Sequence, residues 1–458
     1  MAERFEIVEK ALLHMLEEKK YATLRDILAT MNPSDVAGVF SNLEEKQIPL
    51  MFRLLPKEQA AETFVEMEPD AQELLIRGFS DNELKEVLDE LYVDDAADIV
   101  EEMPANVVKR ILKAADPEMR KSINQILRYP ENSAGSMMTM EYVSLRPAMT
   151  VGEAILRIRR QGVDKETIYT CYVTQDRHLI GMVSVKDLLL CSNDDTPIRD
   201  IMEENVISVS THDDQEQVVQ MFSKYNFLAL PVTDAEGRMV GIVTFDDAMD
   251  VMEDEATEDM EVMAAMLPSD KPYAKEGVLE LVKRRIPWLL MLMLSATFTG
   301  LIITHFENAL AVCTALTAFI PMLMGTGGNS GSQASVAVIR SISLGEVEFK
   351  DLPWIVWKEI RVAVLCGVIL AVCNFGKMLL VDRLLMQNPD ITVTVALVVC
   401  VTLMFVVLAA KTIGACLPIV AKKIGLDPAV MASPFITTIV DALSLLIYFA
   451  VASVVLPI

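Results

Sequence analysis

The chain has 458 residues, 52% of them hydrophobic, and a formal net charge of −25 at pH 7. That length exceeds one ordinary hydrophobic core, so several domains are expected. An acidic excess of this size excludes nucleic acid as a partner, which needs basic surface, and favours cations. The charge is also uneven. Residues 1–275 hold 54 Asp and Glu against 28 Lys and Arg, whereas residues 276–458 hold 11 against 12. The first part reads as an acidic soluble body and the second as an apolar one.

Residues 1–130 contain no long apolar run. The N-terminal MAERFEIVEK lacks the apolar stretch of a signal peptide, so the acidic body is expected to stay in the cytosol. Three stretches resemble one another: 31–43 (MNPSDVAGVFSNL), 55–67 (LPKEQAAETFVEM) and 92–103 (YVDDAADIVEEM). Each opens on a turn or capping residue and continues with apolar positions three to four residues apart. Stacked short helices of this kind predict an all-α superhelical N-domain.

Residues 131–250 change texture and repeat internally. Gly181-Met-Val-Ser184-Val-Lys-Asp187 recurs as Gly241-Ile-Val-Thr244-Phe-Asp-Asp247, in each copy a strand running into a helix whose first turn carries an acid. The two copies resemble a tandem CBS-domain pair of α+β fold. That resemblance implies nucleotide binding, ATP being the specific expectation, through Ser184 and Asp187 or Thr244 and Asp247. The same Ser/Thr-x-x-Asp pattern is also an ordinary helix start, so both readings stand. Residues 251–274 are a helix-prone linker with a dense acidic half, leading to the apolar part.

Within 275–458, apolar runs at 286–305, 308–338, 354–381, 391–420 and 429–456 predict an all-α transmembrane domain of five helices. Lys283, Arg284, Arg285, Arg340, Lys350, Lys422 and Lys423 flank one side, against Lys377 and Arg383 on the other. The positive-inside bias places the N-terminal domains in the cytoplasm and the C-terminus outside. Seven cysteines form no CxxC pair, the four histidines are scattered, and no GxxxxGK[ST] loop or nucleophile–base pair occurs. An enzyme is not expected.

Two segments break the apolar rule. In the tract 321–333 (PMLMGTGGNSGSQ), Gly325, Gly327 and Gly328 precede Asn329, Ser330, Ser332 and Gln333 at membrane depth. Backbone this rich in glycine must pack on protein or line water, and its polar side chains favour a pore lining. In the segment 434–449 (PFITTIVDALSLLIYF), Asp441 lies mid-span with Thr437 one turn earlier. A carboxylate there costs about 3 kcal/mol, so it normally faces water or a bundle interior. The competing reading is a structural ion pair or a protonated acid, with Lys411 the one obvious intramembrane partner.

The tripartite plan, the GTGGNSGSQ tract, the EDEATED linker and the PFITTIVD segment together resemble the MgtE family of magnesium channels. The resemblance covers nearly the whole chain and implies a homodimer in the prokaryotic inner membrane. It implies that Asp441, with Thr437 and Asn329, holds a hydrated Mg²⁺ in a pore lined by Gly325, Gly327, Gly328 and Ser444. Few carboxylates and many waters suit an ion that dehydrates reluctantly. It further implies that Asp94, Asp98, Asp247, Asp250, Glu255, Glu258 and Asp259 bind regulatory Mg²⁺ and close the pore when cytosolic Mg²⁺ is high. Ser444 and Ala432 stand where the family pattern has glycine, which bears on selectivity. The competing functions are a secondary carrier for Mg²⁺ or Co²⁺ and a membrane-anchored nucleotide or metal sensor.

Overall fold

The computed structural model describes residues 2–269, 271, 273, 276–307, 311 and 313–455. The chain divides into two compact units, Met1–Val251 and Met252–Ile458.

The first unit begins with a run of short helices, from Ala2–Glu17 to Pro117–Ile126. The three similar stretches become the helices Pro33–Phe40, Lys57–Val65 and Val93–Glu102. Local chemistry sets where several of these helices begin. Asn32 accepts a hydrogen bond from the Ser34 amide, Ser80 and Glu83 form a reciprocal capping box, and Asp116 accepts from the Met119 amide. The apolar faces converge on one core, through which Phe40, Phe52, Phe64 and Phe79 run with ring centroids 5.3–6.5 Å apart.

The internal repeat appears as two matching three-stranded sheets. The first contains β1 (Ser144–Leu145), β2 (Thr170–Gln175) and β3 (His178–Ser184). The second contains β4 (Val209–Ser210), β5 (Ala229–Thr233) and β6 (Met239–Thr244). In each, the first strand pairs parallel to the second and the second antiparallel to the third, with an irregularity at Val173/Thr174 and again at Val232/Thr233. The recurring glycine has a steric cause. A Cβ on Gly181 would sit 3.1 Å from the Glu203 carbonyl, and one on Gly241 would sit 2.6 Å from that of Thr139.

β6 runs directly into the helix Phe245–Met263. The linker is therefore helical earlier than the expected 251–274, and it stops sooner. Ala265 takes the left-handed conformation at φ 55°, and Pro268 follows. A residue that leaves αR and a nearby proline both oppose helix continuation.

In the second unit, five long helices occur among the described residues: Val278–His305, Ile320–Ser343, Leu352–Lys377, Val393–Lys423 and Ser433–Val455. Four segments are long and apolar enough to cross a membrane: Val278–His305, Phe349–Leu385, Val393–Lys423 and Pro428–Val455. The helix Ile320–Ser343 carries the polar glycine tract that dilutes its apolar character. It starts later than the expected 308, after a 3₁₀ segment Thr314–Phe319, with Pro321 in its first turn. Positions 308–310 and the terminal Ile458 lie outside the described residues. The central helix, Val393–Lys423, packs against Ile320–Ser343, Leu352–Lys377 and Ser433–Val455. A buried polar contact joins this core: the Tyr448 hydroxyl donates to the Leu316 carbonyl at 3.0 Å.

Candidate functional sites

The glycine tract is a regular α-helix throughout. Gly327 and Gly328, expected at a pore lining, lie on its packing face. Both are buried in helix packing. A Cβ on Gly327 would lie 2.6 Å from Val406 Cγ1 and 2.9 Å from Ser444 Oγ, and one on Gly328 would lie 2.8 Å from Thr437 Cγ2. Farther along, a Cβ on Gly414 would collide with the Gly331 carbonyl. The glycines let three helices approach closely, the usual device where apolar burial does not drive association. Ser444 lies in the same packing. It is 1% exposed, held over Gly327, so the absent glycine side chain makes room for its hydroxyl. Ala432 is likewise buried, packed near Ile339 and Val262.

Gly325, Asn329 and Gln333 fall on the other face of the same helix and are exposed. Their four-residue spacing makes them one stripe. On the last helix, Thr437 and Asp441 are half-buried, one turn apart. Thr437 donates to the Pro434 carbonyl at 2.9 Å, while its methyl rests on Gly328. That contact brings the Thr437–Asp441 face beside the stripe carrying Asn329. Asp441 forms no hydrogen bond or ion pair among the described residues, and Lys411 is not its partner. The Lys411 ammonium, 5% exposed, lies 4.0 Å from Glu359 on the helix Leu352–Lys377.

A second cluster lies in the first unit. The helix Val93–Glu102 presents Asp94, Asp95 and Asp98 toward Glu141, Glu166 and Asp247. Burial first, and then mutual repulsion, lifts these carboxyls. Asp95 and Asp98 rise to about 7, Glu166 to about 8, and Asp94 well above its ordinary range. Asp247 rises to about 6, although the Thr244 hydroxyl donates to it at 2.5 Å. Asp94 Oδ1 and Glu166 Oε2 are buried without a hydrogen-bond partner among the described residues. Glu141 accepts from the Thr139 hydroxyl at 2.9 Å and from the Val93 amide at 3.2 Å, so it caps the helix that carries the aspartates. Among the described residues, no group of three acidic, Cys or His side chains is placed to hold a metal ion directly. The structure thus brings Asp94, Asp98 and Asp247 together, with Asp250 adding to the field on Asp247. Asp95, Glu141 and Glu166 join them without having been foreseen. Asp95 could have been read from its neighbour Asp94; the other two carry no local signal.

Glu255, Glu258 and Asp259 lie farther along the linker helix, in the second unit. Asp259 accepts from the Ser343 hydroxyl at 3.0 Å, at the end of the glycine-rich helix. Beyond the linker helix, Arg284 pairs with both Glu261 and Glu276, and its Nε donates to the Leu267 carbonyl at 2.6 Å.

The two Ser/Thr-x-x-Asp pairs prove unequal. Ser184 donates to Asp187 at 2.5 Å and accepts from its amide at 3.1 Å. Both line a cleft of about 260 Å³ between the two repeats. Thr244 and Asp247 belong to the acidic cluster and do not line that cleft.

Comparison with known proteins agrees with each part. A divalent cation transporter family model matches residues 320–451, the MgtE intracellular N domain matches 31–132, and CBS domains match 134–193 and 198–254. The magnesium transporter MgtE of Thermus thermophilus is 36% identical over 97% of this chain and 98% of its own. The chain belongs to the MgtE family of magnesium transporters. The Bacillus subtilis MgtE is 30% identical over 96% of both chains. Among solved structures, the cytosolic domain of the Mg²⁺ channel MgtE in complex with ATP covers 53% of this chain and 99% of that one. It is 36% identical, with a TM-score of 0.51. The soluble part of a magnesium transporter covers 55% of this chain and 99% of its own, at 33% identity and a TM-score of 0.51. As an MgtE-family chain it carries magnesium-transport, CBS and membrane-helix features in the family's order.

Proposed function

We propose that this protein is a homodimeric, Mg²⁺-selective channel for magnesium uptake. Its five helices per subunit would cross the prokaryotic inner membrane, with the N-terminal domains cytoplasmic and the C-terminus outside. The observation that carries this reading is Asp441: a mid-helix carboxylate with no hydrogen-bond or ion-pair partner among the described residues, beside a polar stripe containing Asn329. A charge at that depth costs about 3 kcal/mol unless it faces water, an ion or a counter-charge. Lys411, the available counter-charge, is taken by Glu359. Two Asp441 carboxylates across a two-fold axis supply two charges for one divalent ion. Thr437 and Asn329 add neutral oxygens suited to the ion's water shell.

Gating follows from the acids. With Mg²⁺ low, Asp94, Asp98 and Asp247 repel one another and loosen the face they share. With Mg²⁺ high, hydrated ions between them, and beside Asp250, Glu255, Glu258 and Asp259, favour the closed arrangement. Direct ligation by three acids is not required, because Mg²⁺ keeps several of its waters. A nucleotide at the CBS pair, by analogy with the ATP complex of the related cytosolic domain, modulates that equilibrium.

The test is Mg²⁺ flux into reconstituted vesicles, wild type against Asp441→Asn, at low and high Mg²⁺ on the cytosolic side. The reading requires that wild-type flux be suppressed by high cytosolic Mg²⁺ and that the variant conduct little in either condition. Flux equal to wild type in Asp441→Asn would overturn it. Unitary currents in single-channel recording separate a channel from a carrier.

A further inference from the structure

The helix Leu352–Lys377 opens on an outer face of mixed aromatic and basic character. Trp354 is 60% exposed and Trp357 58%, although rings of this size normally bury most of their surface. Lys358 and Arg361 each stand four residues after one of them, with the cation over the ring. The Lys358 ammonium lies 5.3 Å from the Trp354 ring centre, and the Arg361 guanidinium 6.0 Å from that of Trp357. Spacing of i, i+3, i+4 and i+7 puts all four on one side of the helix. Farther along that side, Leu365, Ile369 and Val372 are exposed as well. A third pair stands just ahead of the helix, where the Lys423 ammonium lies 3.5 Å from the ring centre of the exposed Phe349. The acids close in sequence are engaged elsewhere. Glu359 faces Lys411, Glu348 pairs with Lys350 at 2.8 Å, and Asp351 accepts from the Glu348 amide at 3.0 Å. Among the described residues, Lys358, Arg361 and Lys423 form no ion pair.

We infer that this face is a binding site for an anionic phospholipid. Trp rings settle at the headgroup level of a bilayer, and Lys and Arg stems reach from the apolar region to the phosphates. Trp354 and Trp357 therefore mark the interface, Lys358 and Arg361 meet the headgroup charge, and Leu365, Ile369 and Val372 follow an acyl chain inward. By the orientation proposed above, the lipid belongs to the cytosolic leaflet. Charge decides the occupant. A basic residue beside an anionic membrane surface is worth a factor of about five. A second copy of the chain seated on this face across a two-fold axis would instead set Lys358 and Arg361 against their own counterparts, like charge against like. The chain as a whole carries −25, so an anionic lipid is drawn to this local cluster and not to the protein at large.

The experiment uses the chain's own tryptophans, of which there are three. With Trp288→Phe in the full-length protein, the remaining emission comes from Trp354 and Trp357. The protein is reconstituted in mixed phosphatidylcholine and phosphatidylglycerol vesicles, with bromine on the acyl chains of one lipid or the other as the quencher. Brominated phosphatidylglycerol should quench about fivefold or more strongly, mole for mole, than brominated phosphatidylcholine. Lys358→Gln with Arg361→Gln should bring that ratio close to one while quenching by phosphatidylcholine persists, which shows the face still folded and in lipid. Lys358→Arg with Arg361→Lys should keep the preference. Millimolar inorganic phosphate should leave it intact; its loss would assign the cations to a soluble anion and overturn the lipid site. Equal quenching by the two lipids in the Trp288→Phe protein would overturn it too. So would quenching by neither, since a second copy would then cover the face.

Discussion

Lys411 and Glu359 form a largely buried ion pair in the second unit, their charged groups 4.0 Å apart on the helices Val393–Lys423 and Leu352–Lys377. Neither charge could be placed there alone at low cost. Replacing one partner leaves the other uncompensated, which costs on the order of 3–5 kcal/mol, whereas replacing both with well-packed neutral residues is often close to neutral. Glu359→Gln should therefore lower the melting temperature of the detergent-solubilised protein markedly. The double variant Glu359→Gln, Lys411→Met should recover most of the loss. If Glu359→Gln melts with the wild type, the pair contributes nothing to stability.

The glycines of the helix Ile320–Ser343 should differ sharply in tolerance. Gly331 packs under Ile436 and the Ala410 carbonyl, with the would-be Cβ 2.8 Å and 3.2 Å from them, whereas Gly325 has nothing within 4 Å. Gly331→Ala should separate the helices and destabilise by about 1–3 kcal/mol, as overpacking does. Gly325→Ala should be neutral or slightly stabilising through helix propensity. Thermal unfolding of both variants checks the contrast.

The acidic cluster predicts an unusual pH dependence. Burial and then mutual repulsion hold Asp95 and Asp98 at about 7, Asp247 at about 6 and Glu166 at about 8. Their unfolded values lie near ~4, so the folded form binds more protons between about pH 4 and pH 8. Stability falls across that window as pH rises. In EDTA, full-length protein should unfold at a lower temperature at pH 8 than at pH 5.5. Millimolar Mg²⁺ should restore more at pH 8, since the ion binds the deprotonated cluster. The double variant Asp95→Asn, Asp98→Asn should flatten the slope. A melting temperature that climbs with pH in EDTA would refute the assignment.

At the C-terminal end of the glycine-rich helix, the Ser343 hydroxyl holds Asp259 at 3.0 Å. Ser343→Ala removes that hydrogen bond, worth about 1.5–3 kcal/mol to a charged acceptor. Under the gating reading, the variant should need more cytosolic Mg²⁺ to suppress flux, with its flux at low Mg²⁺ unchanged. Titrating cytosolic Mg²⁺ in the vesicle assay measures both.

The sequence was most informative where its signal is local or periodic. The GMVSVKD and GIVTFDD copies fall on β3 and β6 with the helices that follow, because a repeated strand–helix unit carries its own pattern. The membrane helices were legible from hydropathy. The packing of the glycine tract against Val440 and Ile436 was not, because hydropathy marks a span without saying which helices meet its glycines. Nor were the partners Glu141 with Val93, or Glu359 with Lys411, since nothing in the intervening sequence encodes their approach. Asp441 itself was visible because an isolated acid in an apolar run stands out. The burial of Ser444 was not, because helical spacing alone does not say which flank of Asp441 meets the neighbouring helix.

The regularity of Ile320–Ser343 also limits how an ion can be handled beside it. Within a continuous α-helix the peptide oxygens are engaged in the i→i−4 ladder, so they do not form a ring able to replace a hydration shell. What remains for a passing cation is a sparse set of amide and hydroxyl side chains and one carboxylate per chain. Under the channel reading, such a surface would recognise the outline of a fully aquated ion, and discrimination would then depend on how firmly each metal retains its water.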